Sequence, residues 1–473
     1  MRTLKTAIPF FVLVSFASWN VLPSLAETLS QRVDVPQEIA PVKAPFAMPQ
    51  PKRPVFPKRS FDITRFGAVA DGQTNNTKAI AKAIRACTSA GGGTVLVPAG
   101  TWLTGAVHLA SNVNLHLAEG AVLRFSTDPK DYLPVVFTRW AGFECYNYSP
   151  LIYAHDCNNI ALTGKGKIEA RGKSWWKWEK RQQDSAVLLY KNQVLKGVPV
   201  EKRIYGTVEA AMRPQLFSPI GCKNVLAEGV TVAEPGPFWT FHFVYCENVI
   251  VRDLTFITVG GPNTDGANFD SCKNCLAEYC TFQTGDDCVA VKSGLNEDGW
   301  RVGRPCENIV IRHNRYLDGH GGLAIGSDMS GGVRNIYMHD CDLDGVDNAI
   351  RIKSNRGRGG FVENIWIENI RANRTNAHAI AIETNYGSWF ASTGGKTPLI
   401  RNVRVKDFTC LYARRMAVRL SGLPEQPLEK ISLENVSASG GRGLLCEHVK
   451  EVEMSNVQIK VEKDSPKSKR KHR

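Results

Sequence analysis

Beyond its first two dozen residues, the 473-residue sequence has no apolar run long enough to cross a membrane, which excludes a polytopic membrane protein. Its 41 glycines follow no Gly-X-Y period, so it is not collagen-like. It has one Cys-x-x-Cys, at Cys272 and Cys275, where a four-cysteine zinc site needs two, and Cys280 and Cys288 fit no common ligand spacing. No metal site is expected. Acids are the scarcer charge, 45 against 59 Lys and Arg, for a net +14. The excess suggests a polyanionic partner: nucleic acid, an anionic membrane or an acidic polysaccharide. The basic residues form no recognised nucleic-acid motif, so no nucleic-acid partner is expected. Hydrophobic residues make up 43% and charged residues 22%, enough for a sizeable core and against wholesale disorder. The thirteen cysteines are an odd number, so at least one thiol is unpaired or pairs between chains. Most of them fit best as small apolar residues lining a core.

The two ends stand apart from this pattern. Arg2 and Lys5 precede a mostly apolar stretch from Ala7 to Trp19, and Ser24-Leu25-Ala26 offers the small residues a signal peptidase needs. Residues 1–26 are therefore expected to be an export signal, the protein to be periplasmic or extracellular, and stable membrane insertion to be absent. Residues 27–59 are Pro-rich, a linker or an extended arm. Residues 461–473 form a basic tail expected to be solvated.

One pattern recurs between the ends: Asn, an apolar residue, a variable one, another apolar one. It appears at Asn159, Asn224, Asn248, Asn274, Asn308, Asn335, Asn364 and Asn402, with weaker copies at Lys430 and Glu451. Each copy alternates apolar and polar residues and is rich in Val and Ile, which is strand periodicity. Short strands repeating every 20–30 residues suggest an all-β solenoid, a parallel β-helix, rather than a propeller, whose blades need regular hairpins. In such a stack each Asn can hydrogen-bond to its counterpart one coil away. The longer coils after Asn274 and Asn364 are expected to carry insertions. The 65 residues from Asn159 to Asn224 are expected to contain one large loop. Asn75 to Ala86 has helical spacing, with Ala79, Ile80, Ala83 and Ile84 on one face, and is expected to cap the first coil. The core domain is expected over residues 60–460.

Four polar clusters interrupt the repeat: Asn263-Thr264-Asp265-Gly266, Gly285-Asp286-Asp287, Gly319-His320-Gly321 and Arg351-Ile352-Lys353. Alone, each reads as an exposed turn or strand face. In order and near coil spacing, they fit successive rungs of one face. Clustered carboxylates repel, so one can hold a proton while the others are ionised, as acid/base hydrolysis of a glycosidic bond requires. Arg351 and Lys353 alternate on a strand and project to one side, where they could hold an anionic sugar. Asp286 and Asp287 are adjacent, so both can serve one cleft only if the chain bends, which Gly285 allows.

The clusters NTDG, GDD, GHG and RIK resemble the signature of the polygalacturonases, glycoside hydrolase family 28. FDITRFGAVADGQTNNTKAIAKAI resembles the entry segment of pectin-degrading right-handed β-helices. The resemblance implies a right-handed parallel β-helix acting on an acidic polysaccharide, with no cofactor or metal. By position it implies Asp286 as general acid, Asp265 and Asp287 as the pair that activates water, and inversion at the anomeric carbon. It further implies that His320 tunes the acid, that Arg351 and Lys353 bind the substrate carboxylate, and that Asn263 orients its neighbours. After NTDG the chain reads ANFDSC, where many relatives carry an acid and a Pro, so substrate preference there stays open. The loop before Asn224 and the insertion at Leu295 to Arg304 could wall off one end of the cleft and make the enzyme exo-acting. The alternatives are a rhamnogalacturonan-type hydrolase, a Ca²⁺-dependent lyase and a non-catalytic carbohydrate-binding β-helix. A monomer is expected.

Overall fold

The structure, a computed structural model, describes residues 34–387 and 395–462. The expected export signal lies outside these residues, as does the basic tail beyond Glu462. The fold is a parallel β-helix. One sheet is built from the repeat strands, such as Lys223–Glu228, Glu247–Arg252, Lys273–Glu278 and Cys306–Arg312. A second runs from Val107–His108 through Phe217–Ile220 and Val289–Lys292 to Leu444–Glu447. Every pairing in the two large sheets is parallel, and the strands that follow each Asn keep the register of the sequence repeat, with bulges only further along the coil at Ile168/Glu169, Phe282/Gln283 and Cys410/Ala413. Val225, Val249, Cys275, Ile309, Ile336, Ile365, Val403, Ile431 and Val452 occupy one line of register.

The asparagines explain that regularity. Asn112, Asn159, Asn224, Asn248, Asn274, Asn308, Asn335, Asn364 and Asn402 all have φ of 52–62°, in the left-handed region. Asn tolerates this region better than most residues. Each turn also stacks on the next. The side-chain amide of Asn159 donates to Asn112, Asn224 to Asn159, and Asn248 to Asn224; a second run links Asn274, Asn308, Asn335, Asn364 and Asn402, all at 3.0–3.3 Å. Inside, rings stack from coil to coil: Phe256 on Phe282 at 4.9 Å and Phe282 on Tyr316 at 5.2 Å, close to the strand spacing. All thirteen cysteines are free thiols, and all but Cys446 are buried.

The helix Thr77–Ser89 closes the first coil, burying Ala79, Ile80, Ala83, Ile84 and Cys87. It starts and ends two to three residues later than the spacing predicts. Residues 34–59 lie along the outer face of the repeat sheet. Val42 packs on Leu276 and Val310, Phe56 on Leu226 and Ile250, and Arg53 pairs with Glu228 at 2.7 Å. This segment covers an aliphatic stripe that would otherwise face water.

Besides the stretch after Glu383, three insertions among the described residues leave the coils on the side of the second sheet. The first is an antiparallel hairpin, Val136–Trp140 with Phe143–Asn147. Its turn residues Ala141 and Gly142 both have positive φ, the geometry of a tight two-residue hairpin. The second is the large loop between Asn159 and Asn224, which contains the helices Lys173–Trp176 and Glu179–Leu188. Asn158–Gly164 still pairs directly with Lys223–Glu228, so those 65 residues form one coil plus an excursion. The third is the helix Asn296–Val302.

The ladder generates a stability prediction. Asn308→Ala removes two amide hydrogen bonds and leaves a Cβ residue in the left-handed region, so it should cost about 2–4 kcal/mol. Asn308→Gly keeps the backbone comfortable and should cost about half as much. Urea unfolding midpoints should rank wild type, Gly, then Ala; equal losses for Gly and Ala would contradict the backbone part of the argument.

Candidate active site

The strands Ala267–Asp270, Val289–Lys292, Gly321–Gly326 and Asn348–Lys353 are neighbours, in that order, in the second sheet. Asn263 and Asp265 precede the first, Asp286 and Asp287 the second, and His320 the third; Arg351 and Lys353 lie on the fourth. Stacking continues into the turns. Gly266 N donates to Asp287 O, and His320 N donates to Asp286 O, both at 2.9 Å. The chain breaks strand geometry between Thr284 and Val289, which lets Asp286 and Asp287 face the same cavity. Glycine is required at 285 for space: a Cβ there would lie 2.4 Å from both Gly261 O and Thr264 Oγ1.

The cavity has a volume of about 300 Å³, and all seven expected residues line it. His320 Nδ1 lies 3.0 Å from Asp286 Oδ1. Asn263 receives a 3.0 Å hydrogen bond from Arg213 and reaches toward Asp286 Oδ2 at 3.4 Å. Lys353, expected at a sugar carboxylate, donates to Asp287 Oδ2 at 2.7 Å, while Arg351 Nη1 stands 3.9 Å from Asp287 Oδ1. Asp265 is buried, and its Oδ1 has no hydrogen-bond partner among the described residues.

The insertions wall this cavity. Trp140 and Ala141 of the hairpin, with Phe238 and Trp239, close it toward the earlier coils; Arg358 and Tyr386 border it toward the later ones. The wall has its own core of Trp140, Phe143, Leu189, Tyr190, Phe238 and Leu295. It is also pinned by charge. Buried Asp298 accepts from Arg203 at 3.0 Å and from the Glu144 backbone at 2.8 Å, and Arg301 bridges Asp298 and Glu144. A larger groove of about 640 Å³ lies along the repeat sheet, near Thr231, Tyr279 and His313, and contains none of the four clusters.

A family model, glycosyl hydrolases family 28, matches residues 87–463. A probable polygalacturonase of Vitis vinifera is 32% identical over 80% of this chain and 74% of its own. The exo-poly-alpha-D-galacturonosidase of Dickeya chrysanthemi is 28% identical over 74% of this chain and 62% of its own. The crystal structure of a hyperthermoactive exopolygalacturonase from Thermotoga maritima superimposes with a TM-score of 0.79 at 36% identity, covering 86% of this chain and 94% of that one.

The chain belongs to glycosyl hydrolases family 28.

As a glycoside hydrolase, it must place one proton among its carboxyls. Burial, then the charge of Asp286, push the Asp265 carboxyl well above the ordinary range. Burial would also raise Asp286, but the hydrogen bond and charge of His320, with Lys353 and Lys292, outweigh it and hold Asp286 well below that range. In the resting site Asp265 therefore favours its protonated form and Asp286 its carboxylate, within one coupled set of carboxyls that shares its protons. The difference comes from His320, whose own pKa rises to about 9 chiefly through the hydrogen bond to Asp286.

The sequence reading missed several residues at this hydrolase site. Lys292 lies six residues after Asp286, and its ammonium sits 3.8 Å from Asp265 and 4.4 Å from the centre of the Trp239 ring. Its signal was the outward phase of the Val289–Lys292 strand, the same phase that revealed Arg351 and Lys353. Arg213, four residues before the strand Phe217–Ile220, donates to Pro237 O, Pro262 O and Asn263 and so ties together the loops that present the acids. Tyr386 lies under Arg351 and Lys353, 5.1 and 5.4 Å from its ring centre, within a coil insertion that has no periodic signal.

The His320–Asp286 pair predicts a titration. His320 should titrate near pH 9 in the wild type and at or below 6.5 in Asp286→Asn, read by NMR of the ring protons. Because the folded pKa is raised, the contribution of the His320 proton to stability is fully present below pH 6.5, as long as Asp286 stays ionised, and is lost as pH rises through about 9. His320 is about half exposed (48%), so the contribution is modest. A value near 6.5 in both proteins would contradict the pairing.

Proposed function

We propose that the protein is a polygalacturonase that hydrolyses α-1,4-galacturonosidic bonds from a chain end, with inversion at the anomeric carbon. The observation that carries the exo reading is the walled cavity, closed by Trp140, Ala141, Phe238 and Trp239 on one side of the acids. A long chain could not run through that wall to be cut internally. The Dickeya and Thermotoga relatives are both named as exo-acting, which supports the same reading.

In this mechanism Asp286 protonates the leaving glycosidic oxygen, and Asp265 and Asp287 take the proton of the attacking water. The proton belongs to the coupled set of carboxyls rather than to one of them. Bound substrate brings an acceptor to Asp286 and selects the arrangement with the proton there. His320 and Asn263 hold Asp286 in place. Arg351 binds the carboxylate of the leaving sugar, and Lys353 joins it while its hydrogen bond holds Asp287 in position. The net charge of +14 favours encounter with a polyanion. The signal-like N-terminus supports export, to the periplasm or beyond, and the protein is taken to act as a monomer.

Product analysis of an early polygalacturonate digest tests this directly. Monomeric galacturonate should be the only early product, and Asp286→Asn should lower kcat by about 10²- to 10⁴-fold. A ladder of saturated oligomers at early times would refute exo action. An unsaturated product would refute hydrolysis.

A further inference from the structure

Lys292 ends the strand Val289–Lys292, is only 4% exposed, and lines the catalytic cavity. Its Nζ is 3.8 Å from Asp265 Oδ2, beyond hydrogen-bond distance, and rests over the Trp239 ring. It makes no hydrogen bond to any described residue. A buried ammonium with three unused donors is costly unless something else accepts from them. Lys353 differs, since its ammonium already holds Asp287 at 2.7 Å.

The position matters as much as the missing partner. Val291 pairs with Ile325, and Gly326 pairs with Lys353, so Lys292 and Lys353 share one row with a single rung between them. That puts their backbones about 10 Å apart. The rung between offers Gly326, with no side chain to fill the floor. Lys292, in the same coil as Asp286, lies against Trp239 of the wall, whereas Arg351 and Lys353 are two coils further from it. Burial would lower the Lys292 pKa, but Asp265 and Asp328 raise it further, so the side chain is cationic throughout the working range. A substrate with a carboxylate on every sugar needs a cation on each side of the bond that breaks.

We propose that Lys292 binds the carboxylate of the sugar on the walled side of the scissile bond, the terminal galacturonate, opposite the sugar held by Arg351. This assignment rests on the function proposed above. Lys292 then reads the acid of the sugar that is released, and Trp239 steadies the ammonium from below.

The test uses two trigalacturonates, one with all carboxylates free and one methyl-esterified only on the non-reducing terminal sugar. Wild type should prefer the free acid by about 10- to 100-fold in kcat/KM. In Lys292→Gln, and in Lys292→Met, which keeps the stem over Trp239, that preference should fall to near one. If Lys292 serves only as a counter-ion to Asp265, both trimers lose activity by the same factor and the preference persists, which overturns the proposal. Calorimetric binding of the two trimers to Asp286→Asn, with and without Lys292→Gln, reads the same ratio if turnover is lost. A wild type that cleaves neither trimer refutes the proposed function itself, and a wild type that cleaves both equally refutes this assignment alone.

Discussion

The structure depends on the parallel stacking of strands at a fixed spacing. Parallel register places a residue beside its counterpart one coil on, whatever lies between them in sequence. Asp265 and Asp287 are neighbours for that reason, and so are Asp286 and His320, 34 residues apart. The register is held by left-handed turns that Asn can adopt, from Asn112 to Asn402, with those Asn side chains bonded from coil to coil in two runs. A slip of one residue would exchange Arg351 and Lys353 for core residues and remove the site.

On that scaffold the chemistry is a problem of charge. Three carboxyls are crowded among Lys292, Lys353, Arg351 and His320, and the distribution of these cations decides which acid ionises. Burial and a neighbouring anion push the Asp265 carboxyl up. His320 holds that of Asp286 down. The walls then decide what can reach the acids. They pack against one another around an aromatic core and the buried Arg203–Asp298 pair, so the wall does not rest on a loop held by solvent alone.

The repeat strands were legible because alternation and the recurring Asn are local signals of a global stack. The clusters NTDG, GDD, GHG and RIK were legible because they break that repeat at coil spacing. The hairpin Val136–Asn147 was not found, although Ala141-Gly142 is a hairpin turn, because its strands lack clean alternation. The helices between Asn159 and Asn224 were read as a loop, since Glu179–Leu188 buries only Gln182, Ser185 and Ala186 and so has no apolar stripe. The register of Asn112 with Asn159 extends the repeat one coil earlier than the pattern revealed. Lys292 was overlooked because a single Lys at a strand end looks like a solvated one, and only the fold shows that it is buried beside Asp265.

The central claim is that these carboxyls work as an acid/base set acting on water rather than through a covalent sugar–enzyme bond. Proton NMR of the first galacturonate released, recorded before mutarotation, tests it. An α-linked substrate should yield the β-anomer first. The α-anomer first would mean retention and a carboxylate nucleophile, and would contradict the account.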